Sequence, residues 1–418
     1  MSRARTGVLV YPAFVRLWVA DTITWFGSFT FGLALQLLLI ETLEADQRAL
    51  GLIRGAQWLP ALLFGLLAGV LVDRVRRRPV LIAADTASAV LLALIAALAL
   101  TDRLTVPVLA VLVAGIGTAS FLYTAAHQSF LPRAVPTSVL PIANARLAQS
   151  MTAAEAVGPL LAGALVRFFS APIAIGVNAV SHAVSAAVLL TARVEEPPPT
   201  SRADRHLGRE LREGARWVYG HRMLRPYALA LHLWFIANST VLTVYVIHAV
   251  EDLGLDALTV GAVLACAGVS GVVGAGLAPR AGERFGLGRV CAAGDWLTGL
   301  GFGAVLLAVP GPAAVRWLVV GQLVFGLGTG LKGPLDMSYR NAITPDRLRA
   351  RMNATIRSVN WGSIALSAPL AGWAAVTWGN RPVIAAGVVL MLASAALLTW
   401  SPFRGAEMPL DDDVVPAT

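Results

Sequence analysis

The sequence contains a single lysine, Lys332, within the glycine-rich stretch GLGTGLKGPLD. A glycine-rich run that ends in lysine could bind the phosphates of a nucleotide. A phosphate-binding loop, however, needs glycine directly before the lysine and serine or threonine directly after it. Here Leu331 precedes Lys332 and Gly333 follows it, so the spacing excludes this motif. The alternative is a membrane helix that carries one buried charge.

Three further ionisable residues interrupt long apolar runs, namely Asp21, His127 and Glu155. An ionisable side chain inside a membrane costs several kcal/mol unless it is paired or hydrated, so each is a functional candidate. Asp21 first and Glu155 second are our candidates for proton coupling, because a carboxylate becomes neutral when it takes up a proton. Glu155 could instead be a packing charge, and His127 could be a hydrogen-bonded residue near a helix end.

Lys332 could face a substrate cavity or extend its side chain to the membrane surface, and both alternatives stay open. Asp336 lies four residues on and could pair with it, but Pro334 is expected to interrupt the helix between them. Asp85 and Asp295 are interpreted as structural charges because they lie only about two helical turns from clustered arginines. We expect those arginines to be their partners.

Membrane helices are the elements that must position these residues. Of the 418 residues, 57% are hydrophobic and 14% are charged, and the mean hydropathy is +0.70. This composition excludes an ordinary soluble surface and predicts an all-α integral membrane protein. We expect twelve transmembrane helices in two pseudo-symmetric six-helix halves. The spans are predicted near 14–40, 50–72, 79–101, 105–130, 142–168, 172–192, 224–250, 257–280, 287–309, 314–339, 348–377 and 380–401.

A long polar stretch divides these spans into two sets of six. The predicted domains are an N-terminal half (1–192), a cytoplasmic linker with an amphipathic helix (193–225), a C-terminal half (226–401) and an acidic cytoplasmic tail (402–418). The halves resemble each other, since residues 136–144 and 345–353 have equal spacing of proline and asparagine. Internal repeats of this kind are typical of secondary transporters, whose substrate cavity lies near the membrane midplane.

The net charge of +9 does not indicate nucleic acid, because the arginines follow the positive-inside rule. They concentrate at the N-terminus and in alternate connections, which predicts that both termini and the linker are cytoplasmic. No metal-ligand cluster, nucleophile with its base or nucleotide motif is found in the sequence. We therefore expect no enzyme activity, no metal and no cofactor.

The connection after the second span reads GVLVDRVRRRP. It resembles the loop signature of the major facilitator superfamily, with Arg76 at the position of the family's second glycine. The residues that match are Gly69, Asp73, Arg74, Arg77 and Arg78. They could form a latch at the cytoplasmic end of the protein, or could only orient the chain in the membrane.

Further stretches resemble bacterial exporters that include enterobactin exporters and macrolide-efflux proteins. They are FVRLWVADTITWFG, AAHQSFLPRAVP and ITPDRLRARMNAT. The resemblance implies the twelve-helix facilitator fold, with the first, fourth, seventh and tenth spans around the cavity. Candidate cavity residues are Trp25, Tyr123, His127, His232, Asn238, Tyr245, Lys332 and Trp361, although some could be lipid-facing or core.

The resemblance also implies proton-coupled export of amphipathic drugs or natural products by alternating access. The partners would be a small-molecule substrate, protons and the lipid bilayer of the bacterial cytoplasmic membrane, with the protein acting as a monomer. Two alternatives stay open. The protein could be a dedicated transporter of one endogenous metabolite such as a siderophore, or a membrane receptor or scaffold that transports nothing.

Overall fold

The computed structural model describes residues 8–64, 75–192 and 207–408. Every regular element in these ranges is helical. The principal helices are α1 (Pro12–Leu37), α2 (Gln47–Phe64), α3 (Arg77–Leu100), α4 (Val106–Ala134), α5 (Leu140–Phe168), α6 (Ala171–Thr191), α7 (Leu207–Gly220), α8 (Leu224–Ile247), α9 (Ala257–Phe285), α10 (Leu287–Val305), α11 (Pro312–Ala342), α12 (Asp346–Trp378) and α13 (Asn380–Trp400).

Nine of the helices in the described ranges are long and apolar enough to cross a membrane. Such segments form helices because lipid offers no hydrogen bonds, so that each backbone N–H and C=O must be paired within the segment. The predicted all-helical membrane fold is confirmed. The second predicted span, 50–72, extends beyond the described part of α2, which ends at residue 64.

Contacts between Cα atoms divide the described chain into two compact units. The first unit contains residues 8–45, 56–64 and 75–192, and the second contains 46–55 and 207–408. The start of α2 joins the second unit because it lies against α12. A Cβ atom added at Gly51 would lie 2.5 Å from the carbonyl oxygen of Ala368. The domain boundaries drawn from the sequence stay a prediction.

In the first unit, α1 packs against α5 and α6, and α3 packs against α4 and α6. A buried apolar cluster that includes Phe14 and Phe130 joins α1 to α4. The guanidinium of Arg78 donates hydrogen bonds to the carbonyl oxygens of Leu189 and Leu190 at 3.1 and 2.5 Å. These contacts fix which faces of α1, α3, α4 and α6 meet inside the unit.

In the second unit, α11 packs against α9 and α10, while α8 packs against α12 and α13. The glycine run before Lys332 allows this close approach of helices. A Cβ atom at Gly328 would lie 2.5 Å from the carbonyl oxygen of Gly294 on α10, and Gly326 and Gly330 face the backbone of α9 in the same way. The run therefore sets Lys332, one turn further on, against α10.

The connection after the first membrane helix of each half of the repeat, α1 and α8, is built in the same way. A π-helical turn follows α1 at Leu38–Thr42 and α8 at His248–Asp252. An aspartate then accepts a hydrogen bond from the backbone N–H three residues on, which caps the next helix. The capping aspartates are Asp46, at 3.1 Å, and Asp256, at 2.8 Å. The internal repeat inferred from the sequence is thus visible in local geometry.

The predicted linker helix is α7, and it belongs to the second unit. Its Val218 is fully buried, and Gly214 lies against the backbone of α12 at Arg351. Arg351 also forms ion pairs with Glu213 and, at 3.3 Å, with Glu210. Residues 193–206 of the predicted linker lie outside the described residues. The amphipathic helix therefore packs on protein.

Acidification is expected to weaken the junction between α7 and α8 through His221. Its Nδ1 accepts hydrogen bonds from the backbone N–H groups of Met223 and Leu224 at 3.2 and 3.3 Å. Burial lowers the pKa of His221 from its ordinary value, so the neutral form is favoured in the folded protein. Its contribution to stability is present above the unfolded pKa of about 6.5 and is lost as pH falls through the lower folded pKa.

Hydrogen-exchange protection at Met223 and Leu224 should therefore fall at acid pH. His221→Asn is the control, because asparagine can cap a helix without titrating. Its protection factors should vary less with pH. An equal fall of protection in the variant would contradict the assignment to His221.

Candidate proton-binding and ion-pair sites

In the first unit, two side chains of α4 hold the carboxylate of Asp21 on α1. The hydroxyl of Tyr123 donates to Oδ1 at 2.6 Å, and Nε2 of His127 lies 2.7 Å from Oδ2. Tyr123 and His127 are four residues apart and project from one face of α4. The side chain of Asp21 is 1% exposed, whereas that of His127 is 18% exposed. A buried carboxylate thus has one neutral donor and one titratable partner that solvent reaches.

The carboxylate of Asp85 on α3 is likewise held by two side chains of a neighbouring helix. Nδ1 of His182 lies 2.9 Å from Oδ1, and the hydroxyl of Ser185 donates to Oδ2 at 2.5 Å, both from α6. The prediction that cytoplasmic arginines partner Asp85 is therefore wrong. Those arginines are about two turns away along α3, and the packing of α3 against α6 supplies nearer partners.

In the second unit, Asp295 on α10 forms a buried ion pair with Lys332 on α11. The hydroxyl of Ser394 on α13 donates to Oδ2 of Asp295 at 3.2 Å. The ammonium group of Lys332 also lies 4.4 Å from the ring centroid of Trp234, a cation–π distance. Because Asp295 pairs with Lys332, the prediction of an arginine partner for Asp295 is wrong. Surface extension of Lys332 is also contradicted, since its side chain is only 10% exposed.

Asp336 has a different partner from the one considered for it in the sequence. The hydroxyl of Tyr227 on α8 donates to Oδ2 of Asp336 at 2.7 Å. Helix α11 continues through Pro334, so the expected interruption is absent from this helix. Lys332 nevertheless pairs with α10, because the glycines on that face bring the two helices together.

The two units place different chemistry at equivalent positions. The equivalent pairs, 209 or 210 positions apart, are Asp85 and Asp295, Ser185 and Ser394, Tyr123 and Lys332, and His127 and Asp336. Each unit therefore buries an aspartate of its third span against a serine of its sixth span. The first unit surrounds this pair with histidine and tyrosine, whereas the second supplies lysine. The aspartate of the first unit is thus held by a histidine and a hydroxyl, whereas that of the second unit forms an ion pair with lysine.

Two of the predicted cavity residues lie in the interior of the second unit. Tyr245 is 1% exposed and its ring centroid lies 6.1 Å from that of Phe302, so it is core. His232 has both ring nitrogens engaged, with Nδ1 2.6 Å from Oδ1 of Asn360 and Nε2 2.9 Å from the hydroxyl of Tyr219. His232 therefore ties α8 to α12 and α7, and a cavity role for either residue stays a prediction.

The remaining candidates are at least partly exposed. Trp25, Asn238 and Trp361 are half-buried, and Arg357 lies over the ring of Trp361 at 5.3 Å. Glu155 is on an exposed face of α5. In the latch, Gly69, Asp73 and Arg74 lie outside the described residues, while Arg77 is buried at the start of α3 and Arg78 is half-buried. In the described ranges no cluster of three or more His, Cys, Asp or Glu side chains could hold a metal ion.

Comparison with known proteins assigns the chain to a family. A family profile described as transmembrane secretion effector matches residues 7–413. The chain belongs to this family of MFS transporters. The chain is also 26% identical over 404 residues to an uncharacterized MFS-type transporter, y4rN, of Sinorhizobium fredii, and the match covers 94% of this chain and 95% of the relative. The transporter is thus a multi-pass integral membrane protein and not an enzyme.

Solved structures share the fold of the transporter. A nucleoside transporter, NupG, superposes with a TM-score of 0.75 at 13% identity, covering 93% of this chain and 100% of that chain. A bacterial homologue of the iron transporter ferroportin gives a TM-score of 0.71 at 14% identity, covering 94% and 99%. At these identities the similarity establishes the major facilitator fold alone.

Sequence reasoning missed several partners in the transporter, among them His182, Ser185, Tyr227 and Ser394. Each lies far along the chain from the carboxylate that it contacts, so only helix packing brings them together. His182 and Ser185 carried one signal, because they are polar residues three positions apart in an apolar span. Such a pair indicates one polar face but does not identify its partner.

Proposed function

We propose that this transporter exports small amphipathic molecules from the bacterial cytoplasm in exchange for protons, by alternating access. The observation that carries the proposal is the contact of Asp21 with Tyr123 and His127. When Asp21 is charged, a protonated His127 can balance it, and when Asp21 is protonated, the imidazole can be neutral. Both states hold the same single proton, so the site becomes neutral when it takes up that proton, and after its release the charge of Asp21 keeps the Tyr123 hydroxyl and the His127 imidazole as hydrogen-bonding partners.

The accessibility of the two side chains supports a proton route through the histidine. His127 is the more exposed member, so water can deliver a proton to its ring. Asp21 is buried behind it and accepts a hydrogen bond from Tyr123 in either protonation state of the imidazole. Glu155 is kept as the second proton-coupling candidate, because its carboxylate lies on an exposed face of a membrane helix.

The charges in the second unit indicate which charge the cargo carries. Lys332 is neutralised by Asp295 and is not available as a cation for an anionic substrate. The carboxylate of Asp21 instead favours a neutral or cationic amphipathic cargo, which the transporter would exchange for a proton. An anionic metabolite such as a siderophore is the second candidate. It is favoured by two half-buried arginines in membrane helices, Arg54 and Arg357.

Accumulation in bacterial cells with and without the transporter tests this proposal. The panel would contain a cationic dye such as ethidium, a neutral macrolide and an iron-free siderophore, each measured before and after a protonophore. Lower retention of the dye or macrolide, abolished by the protonophore, is expected. Lower retention of the siderophore alone would favour the metabolite exporter. If no compound responds, a receptor or scaffold role would be the better account.

The orientation in the membrane gives a separate prediction. Because arginines concentrate in alternate connections, we expect the N-terminus, the 193–225 linker and the 402–418 tail to be cytoplasmic. Reporter fusions at these three places should be active only in their cytoplasmic form. A fusion in the linker that reports the outer side would contradict the proposed twelve-span order and the assignment of the six-helix halves.

The loop that contains Gly69, Asp73 and Arg74 is proposed to latch one conformation, together with Arg77 and Arg78. Support comes from the start of α3, where Arg78 ties α3 to the end of α6 and would move with both. The protein is proposed to act as a monomer. Both proposals are independent of the proton site.

A further inference from the structure

The proton-coupling mechanism proposed above uses Asp21 and leaves a second buried acid–base pair unused. Asp85 is 2% exposed and His182 is 6% exposed, so neither is a surface charge. They face each other across the packed helices α3 and α6 at 2.9 Å. A buried carboxylate beside a neutral imidazole carries one net negative charge, and a single proton taken from solvent neutralises the pair, whether that proton rests on Asp85 or on His182.

Tyr123 connects this pair to Asp21. Its hydroxyl donates to Asp21, and the same side chain lies close enough to Ser185 and Asp85 to interact with them electrostatically. Ser185 in turn donates to Asp85. Tyr123 has one hydroxyl proton, so at any time it can donate a hydrogen bond either to Asp21 or toward Ser185 and Asp85. Protonation of Asp21 would free that hydroxyl to turn toward Ser185. Proton binding at Asp21 would then change proton binding at Asp85.

The groups that act on Asp85 come from three packed helices. They are His182 and Ser185 on α6, Tyr123 on α4 and, through Tyr123, Asp21 on α1. In the second unit the equivalent aspartate, Asp295, is neutralised by Lys332, which occupies the position of Tyr123. The repeat therefore offers the same carboxylate with and without a fixed cation.

We propose that Asp85 and His182 form a second proton-binding site, coupled to Asp21 through Tyr123, so that the first unit binds two protons in one cycle. This inference rests on the proposed proton exchange at Asp21. It assigns Asp85 a role that its repeat-equivalent Asp295 does not share. The site binds only protons and needs no cofactor, because both groups return to their starting state when the protons leave.

The number of protons taken up by the purified full-length protein tests this inference without knowledge of the cargo. After an acid step, followed with a pH-indicator dye, Asp85→Asn should take up one proton fewer per molecule than the wild type. Asp85→Asn/His182→Gln removes both groups that could take the proton and keeps a hydrogen-bonding side chain at each position, so it should show the same loss, and it replaces Asp85→Asn if that variant fails to fold. The matched control is the double variant Lys332→Met/Asp295→Asn, whose uptake should equal that of the wild type.

Proton-driven accumulation of ethidium in vesicles provides the second readout. With the membrane potential held at zero, each coupled proton contributes about a tenfold accumulation per pH unit, so two protons give about 100-fold and one gives about tenfold. Asp85→Asn should show the smaller ratio, whereas Asp21→Asn should lose accumulation because the second site exchanges its proton only through its coupling to Asp21. Unchanged proton uptake in both Asp85→Asn and Asp85→Asn/His182→Gln would overturn the second site. Unchanged uptake in Asp21→Asn would instead overturn the proposed function.

Discussion

Lys332→Met is expected to destabilise the protein by about 3–5 kcal/mol, the usual effect of removing one partner of a buried ion pair. Methionine keeps much of the length and the apolar contact with Trp234. It removes the ammonium group that neutralises Asp295, whose side chain is 1% exposed. Ser394 remains as a hydrogen-bond donor at 3.2 Å, but a hydroxyl cannot balance a charge. Thermal unfolding of the purified protein in detergent would measure the loss.

Two control variants separate charge from packing at this ion pair. Lys332→Arg keeps a cation within reach of Asp295 and Trp234, so its unfolding temperature should stay closer to that of the wild type. Lys332→Met/Asp295→Asn leaves no unpaired charge and should recover most of the loss seen in Lys332→Met. If the double variant is as unstable as the single one, the ion pair is not what stabilises this region.

Asp21→Asn is expected to fold normally and to lose proton-driven export. Asparagine has nearly the same shape and can still accept a hydrogen bond from Tyr123, but it cannot bind a proton. Without differential proton binding, the pH gradient has no free energy to transfer to the cargo. The accumulation ratio of ethidium in vesicles should fall to about 1, while binding of the dye, measured by fluorescence, persists.

His127→Gln is the companion variant, because glutamine can keep the hydrogen bond to Asp21 without carrying a proton. We expect it to slow transport and shift its pH dependence while leaving some coupling, since the carboxylate of Asp21 remains. Full wild-type pH dependence in both Asp21→Asn and His127→Gln would remove the proposed proton site from the mechanism.

The helices and the repeat could be predicted from the sequence because lipid imposes a simple requirement on each segment. Long apolar runs must pair their own backbone groups, so the segments that contain Asp21 and Lys332 were predicted as helices. The repeat of Asp85 and Asp295 was likewise visible as a spacing in the chain. The distance along the helix to the arginines gave the wrong partners, because lateral contacts between helices are closer than two turns along one helix.

The partners of the buried charges depend on which helix faces meet, and the sequence contains only part of that information. Tyr123 and His127 were each named as candidates, and their spacing of four put them on one face of α4. Their contact with Asp21 required the packing of α1 beside α4, more than 100 positions away. Lys332 was expected to need a partner, but that partner depended on the close approach of α10 and α11 at Gly294 and Gly328.

Uptake of ethidium into everted membrane vesicles under an imposed pH gradient, acid inside and without ATP, tests the central claim most directly. The lumen of such vesicles corresponds to the outside of the cell, so an exporter that exchanges its cargo for protons should fill it. We expect uptake with the wild-type protein, its collapse on addition of a protonophore, and none with Asp21→Asn. Uptake that requires ATP, or that proceeds equally with and without the gradient, would contradict proton-coupled export.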